Sequence, residues 1–194
     1  MDIKNIMVIG SGTMGNGIAH VFALHEYNVI LMDIREEYCE RGLETIKNNL
    51  QRQVKKETIS EEKAKQTLAR IQTSITLEDC READLVIEAA TEDLKVKKDI
   101  FTTVDKICGP DTIIASNTSS ISITTLAAAT GRPDKFVGMH FMNPVPVMKL
   151  VEIIRGLATS DKTATAVFDI AKTLEKAPVE VNDYPGFISN RILM

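Results

Sequence analysis

Ile6-Met7-Val8-Ile9-Gly10-Ser11-Gly12-Thr13-Met14-Gly15 is a short apolar run that breaks into glycines and then into an amphipathic segment. Four consecutive apolar residues mark a strand buried on both faces, as in a parallel sheet covered by helices. The glycines keep a G-x-G-x-x-G spacing, and between a strand and a helix each has a steric task. The first lets the chain turn tightly, the second lets backbone approach a pyrophosphate, and the third lets helix and strand pack closely. A helix is expected from about Met14 to Glu26, with Ile18, Ala19, Phe22 and Ala23 on one face. Its N-terminus would offer unpaired N–H groups and the positive end of its dipole to phosphates.

Outward from that motif, Val29-Ile30-Leu31-Met32 is a second buried strand, closed by Asp33. A carboxylate there can accept hydrogen bonds from an adenosine ribose and repel a 2′-phosphate, which favours NAD over NADP. Arg35 nearby could offset that repulsion. From Arg35 to Arg70 the chain is charged and helical, read as a solvent-facing excursion of two helices broken near Thr58-Ile59-Ser60, with Ser60 as N-cap. Further strands are expected at Leu85–Glu88, Thr112–Ala115, Phe136–Met139, Leu150–Ile154 and Val179–Val181, with helices over Asp93–Cys108 and Ser160–Lys176. Strands alternating with helices give a doubly wound α/β domain with a mostly parallel sheet.

The chain has 194 residues, 44% of them apolar and 26% charged, with a formal net charge of -4. That length suits one domain whose core needs no disulfide or metal, and no metal site is expected. The mildly acidic balance argues against a partner such as nucleic acid or an anionic membrane surface. No apolar run approaches the length of a membrane span, and Met1–Asn5 leads straight into a strand, so no signal peptide is expected. Cys39, Cys80 and Cys108, with no C-x-x-C spacing, read as free thiols of a cytoplasmic protein.

A second cluster lies at the far end of the expected sheet. Gly138-Met139-His140-Phe141-Met142-Asn143-Pro144 places His140 where a buried strand ends, and open α/β sheets collect ligands there. Twelve residues on, Glu152 sits in the apolar stretch Leu150-Val151-Glu152-Ile153-Ile154 and needs a partner if buried. His140 is the candidate: a carboxylate on one imidazole nitrogen fixes the tautomer and leaves the other nitrogen to move a proton. Ser116-Asn117-Thr118-Ser119-Ser120 follows a buried strand, and helix capping accounts for most of its hydroxyls, with one or two left to face a nicotinamide and a substrate carbonyl. Arg52, Lys55 and Lys56, and Lys95, Lys97 and Lys98, read as solvated helix faces or as a landing site for a phosphorylated substrate handle. His20 and His25 read as structural histidines of the first helix.

These residues, with Pro185-Gly186-Phe187-Ile188-Ser189-Asn190-Arg191, resemble the 3-hydroxyacyl-CoA dehydrogenases, especially the short bacterial 3-hydroxybutyryl-CoA dehydrogenases, over essentially the whole chain. The resemblance implies a Rossmann-type fold and NAD-linked interconversion of an (S)-3-hydroxyacyl-CoA and a 3-oxoacyl-CoA. It implies that His140 is the acid/base, that Glu152 orients it, and that Ser119 and Asn190 hold the reacting oxygen. Gly10 to Gly15, with Ser11, Thr13 and Met14, would cradle the cofactor, and Asp33 would hold its ribose. Glu92, Lys97, Asn117, Ser119 and Asn143 would lie along the rest of the cofactor, towards its nicotinamide half. Lys56 would contact coenzyme A, while Asn49 stands where some relatives have a serine near that ligand. Family members continue into an all-helical C-terminal domain that dimerises. The chain is therefore expected to comprise the catalytic domain, 1–184, and only the first turns of that second domain, 185–194. A dinucleotide-binding module with little turnover, and a dehydrogenase of non-CoA hydroxy acids, are the competing readings.

Overall fold

The apolar runs become the central strands of one sheet. In the computed structural model, which describes residues 3–184, the elements follow in the order β1 (Asn5–Ile9), α1 (Thr13–Leu24), β2 (Asn28–Met32), α2 (Glu36–Lys55), α3 (Glu61–Ala69), β3 (Ile71–Ser74), β4 (Leu85–Glu88), α4 (Leu94–Ile107), β5 (Ile113–Ser116), α5 (Ile123–Ala127), β6 (Phe136–Phe141), β7 (Leu150–Arg155), α6 (Asp161–Thr173) and β8 (Ala177–Asn182). A 3₁₀ turn, Leu77–Glu82, leads from β3 towards β4. The eight strands lie in the order β3-β2-β1-β4-β5-β6-β7-β8. All neighbours are parallel except β6 and β7, which are antiparallel.

The continuous apolar character of β1 has a direct cause. Ile6 and Val8 point into a core shared with Ile18, Phe22 and Leu31, while Met7 and Ile9 point into a second core with Val86, Phe101 and Ile114. A strand with helices on both faces has no solvent side to make polar. The chain winds outward from β1 through β2 to β3, then crosses back to β4 on the other side of β1. That reversal opens a crevice at the carboxyl ends of β1 and β4, where such sheets bind ligands.

Several local expectations need correction. Helix α1 ends at Leu24, not Glu26, because His25 caps it and the chain turns left-handed at Glu26 (φ 73°). The edge strand β3, Ile71-Gln72-Thr73-Ser74, was not expected: it has one apolar residue, and its two central side chains face solvent. Ser122, rather than any residue of Ser116–Ser120, caps α5, accepting a hydrogen bond from Thr125 N at 3.2 Å. Asp183 reinforces that helix start, accepting from Ser122 Oγ, Ile123 N and Thr124 N. Ser60 caps α3 as the sequence suggests. The expected second-domain stub, 185–194, and with it Asn190, lies outside the described residues.

His20 is a polar side chain set among the core residues of α1. It is fully buried on α1, and both ring nitrogens lack a hydrogen-bond partner among the described residues, as does Oε1 of the nearby Gln53. Burial drives its pKa down to about 4, with the Lys176 ammonium adding to the effect and Gln53 partly opposing it. Above pH 6.5 folded and unfolded chains both hold His20 neutral. As pH falls from 6.5 towards 4, the unfolded chain takes up a proton that the folded protein excludes, so stability falls through that window and levels off below it. The shift corresponds to about 3 kcal/mol. Urea unfolding at successive pH values should show that loss in the wild type and a flatter profile in His20→Leu. An unchanged profile in the variant would assign the acid sensitivity elsewhere.

Candidate active site

Two groups of residues meet at the carboxyl ends of the central strands. The first is the glycine turn between β1 and α1. Gly10 has φ +96°, and a Cβ there would lie 2.7 Å from Ala89 O. At Gly15 a Cβ would lie 1.6 Å from Gly10 O, so a side chain is excluded from the packing of turn against helix. At Gly12 a Cβ would meet nothing within 4 Å, which leaves open space over the start of α1. The shape is a backbone-lined cradle at the N-terminal end of α1, suited to a pyrophosphate. Thr13 is exposed on the first turn of α1 and Met14 is half-buried beside it.

Asp33, just past β2, accepts from Ser11 N at 2.7 Å and from Ser11 Oγ at 2.8 Å, which ties the turn to the second strand. Next to it opens a cavity of about 500 Å³, walled by Ile34, Tyr38, Leu77, Val96 and Ile100. Ile34 is 75% exposed on one wall, an apolar surface suited to a flat heterocycle. The Arg41 guanidinium stacks over the Tyr38 ring at 4.7 Å, and that of Arg35 lies 5.6 Å from the same ring. These observations fit an adenine nucleotide.

The second group centres on His140. β6 and β7 run antiparallel in a register that sets His140 directly opposite Glu152. His140 Nδ1 lies 2.8 Å from Glu152 Oε2, and Glu152 is almost fully buried. On the other side of the ring, Nε2 lies 3.0 Å from Ser119 Oγ. Imidazole therefore bridges a buried carboxylate and a half-open hydroxyl, the arrangement in which one nitrogen is fixed and the other can exchange a proton. Asn117 ties the strand ends together, its Oδ1 accepting from Phe141 N at 2.9 Å.

A buried ionic network supports Ser119. Glu88, the last residue of β4, is fully buried; Oε1 accepts from Lys97 Nζ and Ala90 N, both at 2.7 Å, and Oε2 accepts from Ser116 Oγ at 2.7 Å. Lys97 also reaches Glu92 at 3.3 Å. Glu92 in turn accepts from Thr118 Oγ1, from Ser119 N at 3.0 Å, and from Ser120 N and Oγ. Burial acts to raise the Glu92 carboxyl, but the Thr118 hydroxyl, the Lys97 ammonium and the Ser120 hydroxyl outweigh it and hold it below its ordinary value.

Lys97 is thus no solvated surface cation, a correction to the default reading. It is 1% exposed because two carboxylates draw it inward. Most hydroxyls of Ser116–Ser120 serve Glu88 and Glu92 rather than a helix end. Glu88 itself escaped the sequence reading, although it carries the signal that singled out Glu152, a carboxylate inside an apolar run. Asn143 is exposed just past β6, in a cis peptide bond with Pro144. Lys56 is exposed at the end of α2, with no hydrogen bond or ion pair to the His140 group among the described residues.

The family profile described as 3-hydroxyacyl-CoA dehydrogenase, NAD binding domain, matches residues 5–184. The chain belongs to the 3-hydroxyacyl-CoA dehydrogenase family. It is 52% identical over 194 residues to the probable 3-hydroxybutyryl-CoA dehydrogenase of Bacillus subtilis, covering all of this chain and 68% of that protein. It is 44% identical over 198 residues to the human mitochondrial hydroxyacyl-coenzyme A dehydrogenase, covering 99% and 63%. The crystal structure of (S)-3-hydroxybutyryl-CoA dehydrogenase from Ralstonia eutropha superposes with a TM-score of 0.97 at 50% identity, over 99% of this chain and 68% of that one. The chain spans about two thirds of the length of these relatives. No helix among the described residues is long and apolar enough to cross a membrane.

The Glu88–Lys97 pair has a measurable signature. Removing one partner leaves a buried charge with reduced compensation, so Glu88→Gln and Lys97→Met should each destabilise by about 3 kcal/mol. The double variant should cost clearly less than the sum, because it removes both charges. Equilibrium urea unfolding of the four proteins checks this, and additive losses would show that the pair does not act as a unit.

Proposed function

We propose that the chain is the catalytic, NAD-binding part of an oxidoreductase that interconverts (S)-3-hydroxybutyryl-CoA and acetoacetyl-CoA, and more broadly (S)-3-hydroxyacyl-CoA and 3-oxoacyl-CoA. The observation that carries this reading is the hydrogen-bonded line Glu152–His140–Ser119 at the same end of the sheet as the glycine cradle. NAD, when bound, supplies the hydride acceptor in oxidation and NADH the donor in reduction. In oxidation His140 takes the proton of the 3-hydroxyl at Nε2, and in reduction it returns a proton to the 3-oxo oxygen. Glu152 accepts from Nδ1–H, which fixes the tautomer and stabilises the imidazolium that forms. Ser119 hydrogen-bonds the same substrate oxygen and keeps it beside Nε2. Asn190 completes that contact in the family pattern. Glu92 and Lys97 hold the Ser119 loop and, with Asn117 and Asn143, border the nicotinamide half. Asp33 receives the ribose, and Lys56 meets the coenzyme A handle.

The Asp33 carboxylate also supports NAD as the preferred cofactor, by repulsion of a 2′-phosphate. The compartment is the cytoplasm, a reading supported by three unpaired thiols. A homodimer formed through a helical C-terminal domain belongs to the same reading.

His140→Gln should lower NADH-dependent reduction of acetoacetyl-CoA by about 10²–10⁴-fold while leaving NADH affinity unchanged. Unchanged turnover would remove His140 from the chemistry. Asp33→Ala should narrow the ratio of NADH to NADPH rates, and a constant ratio would place cofactor choice elsewhere. The span of two thirds of the relatives favours one second reading, a module that binds NADH and turns over little. Fluorescence titration with NADH and a turnover assay on one sample separate the two: binding without turnover selects the module.

A further inference from the structure

The end of the sheet opposite the active site holds chemistry that a dehydrogenase reaction does not use. Cys80, in the 3₁₀ turn Leu77–Glu82, and Cys108, the cap that ends α4, have their Sγ atoms 3.1 Å apart. Cys108 Sγ also lies 3.2 Å from the carbonyl oxygen of Cys80. Both cysteines are buried, with Cys80 fully enclosed and Cys108 7% exposed. We propose that Cys80 and Cys108 are an oxidative modification site, a dithiol that a hydroperoxide closes into an intramolecular disulfide clasping the 3₁₀ turn to the end of α4.

Three observations support the assignment. The first is proximity: a disulfide needs the sulfur atoms to approach by only about 1 Å more. The second is nearby open space. Arg81 and Gly109, the residues next to the two cysteines in the chain, line a cavity of about 410 Å³, while the thiols themselves are buried. The third is polarity. The Cys80 thiol and the Arg132 guanidinium draw the Cys108 thiol below its ordinary pKa against the effect of burial, while Cys108 pushes the Cys80 thiol up. Arg132 also fixes the end of α4, pairing with Asp105 at 2.6 Å and donating to the carbonyl oxygens of Asp105 and Gly109. A more acidic thiol held beside a protonated one is the arrangement of an attacking and a resolving cysteine.

The reaction balances with one equivalent of hydrogen peroxide. The Cys108 thiolate attacks a peroxide oxygen; an S–O bond forms, the O–O bond breaks, and the departing hydroxide takes up the proton that Cys108 released. The Cys80 sulfur then attacks the sulfenic sulfur; the S–S bond forms, the S–O bond breaks, and water leaves with the Cys80 proton. Two thiols are oxidised and one peroxide is reduced to two waters. The remaining thiol, Cys39, is an internal reference: it is buried, donates to Ser74 O, and burial pushes its pKa up.

The clasp bears on the cofactor cavity. Leu77 at the start of the 3₁₀ turn, and Val96 and Ile100 on α4, wall the same space beside Asp33. A bond between Cys80 and Cys108 joins those two elements at their ends away from it.

The test treats the folded chain with hydrogen peroxide, quenches, and then measures intact mass, thiol count under denaturing conditions and crosslinked peptides. The expected result is a loss of about 2 Da, a fall from three titratable thiols to one, and a peptide joining Cys80 to Cys108. The unfolding midpoint should rise by roughly 5–10 °C and return on reduction with dithiothreitol. In Cys80→Ser the mass loss should vanish and Cys108 should accumulate as a sulfenic acid that dimedone traps. Three thiols surviving doses that already add oxygen to methionine would overturn the proposal. So would a crosslink to Cys39, or dimedone labelling of Cys39 in place of Cys108.

Discussion

The carboxylate of Glu88 is the constraint on which the upper end of the sheet depends. It is fully buried at the carboxyl end of β4, so each oxygen must be answered by donors nearby. Lys97 answers from α4, Ala90 N from the loop packed against Gly10, and Ser116 Oγ from the end of β5. One side chain thus joins the cofactor cradle, the helix behind it and the loop that carries Ser119. Burying an ion pair gives little net stability by itself, but losing either partner is costly. The arrangement therefore suppresses alternative positions of these three segments, which a site for hydride and proton transfer requires.

What could be read in the sequence follows from where each signal is stored. Strands β1, β2, β4 and β5 are legible because burial on both faces demands unbroken apolar runs such as Ile6–Ile9 and Ile113–Ala115. The edge strand β3 is not, since an edge needs no such run. The cradle is legible because Gly10 and Gly15 answer backbone clashes within a few residues of themselves. Lys97 is not, because its burial is decided by carboxylates nine residues and five residues away in sequence, brought together by the α4 packing. A lysine on a charged helix looks solvated until its partners are placed. Most hydroxyls of Ser116–Ser120 mislead for the same reason, since they resemble helix caps but answer Glu88 and Glu92.

The one antiparallel step in the sheet explains the geometry around His140. In parallel neighbours, strand ends of the same polarity meet across a long connection. The β6–β7 reversal instead brings residues close in sequence face to face, His140 on Glu152 and Met139 on Ile153. Because side chains alternate, a slip of one residue would set an isoleucine against the imidazole and leave the Glu152 carboxylate among apolar neighbours. The register is therefore held by the same burial that makes Glu152 costly to misplace, and no loop is needed to position the pair.

The acid–base groups and the close thiol pair lie at opposite ends of the sheet. Backbone N–H groups, carboxylates and the imidazole converge where β1, β4, β5 and β6 end, at the crevice made by the change of winding direction. At the starting ends the turns only have to close connections, and there the fold places Cys80 against Cys108 beneath Arg132. Since α4 runs between these ends, with Lys97 near its first turn and Cys108 at its cap, it is the element through which a change at one end would reach the other. It packs against the Leu77–Glu82 turn, and the two together carry the thiol pair below and contribute Leu77, Val96 and Ile100 to the cavity beside Asp33 above.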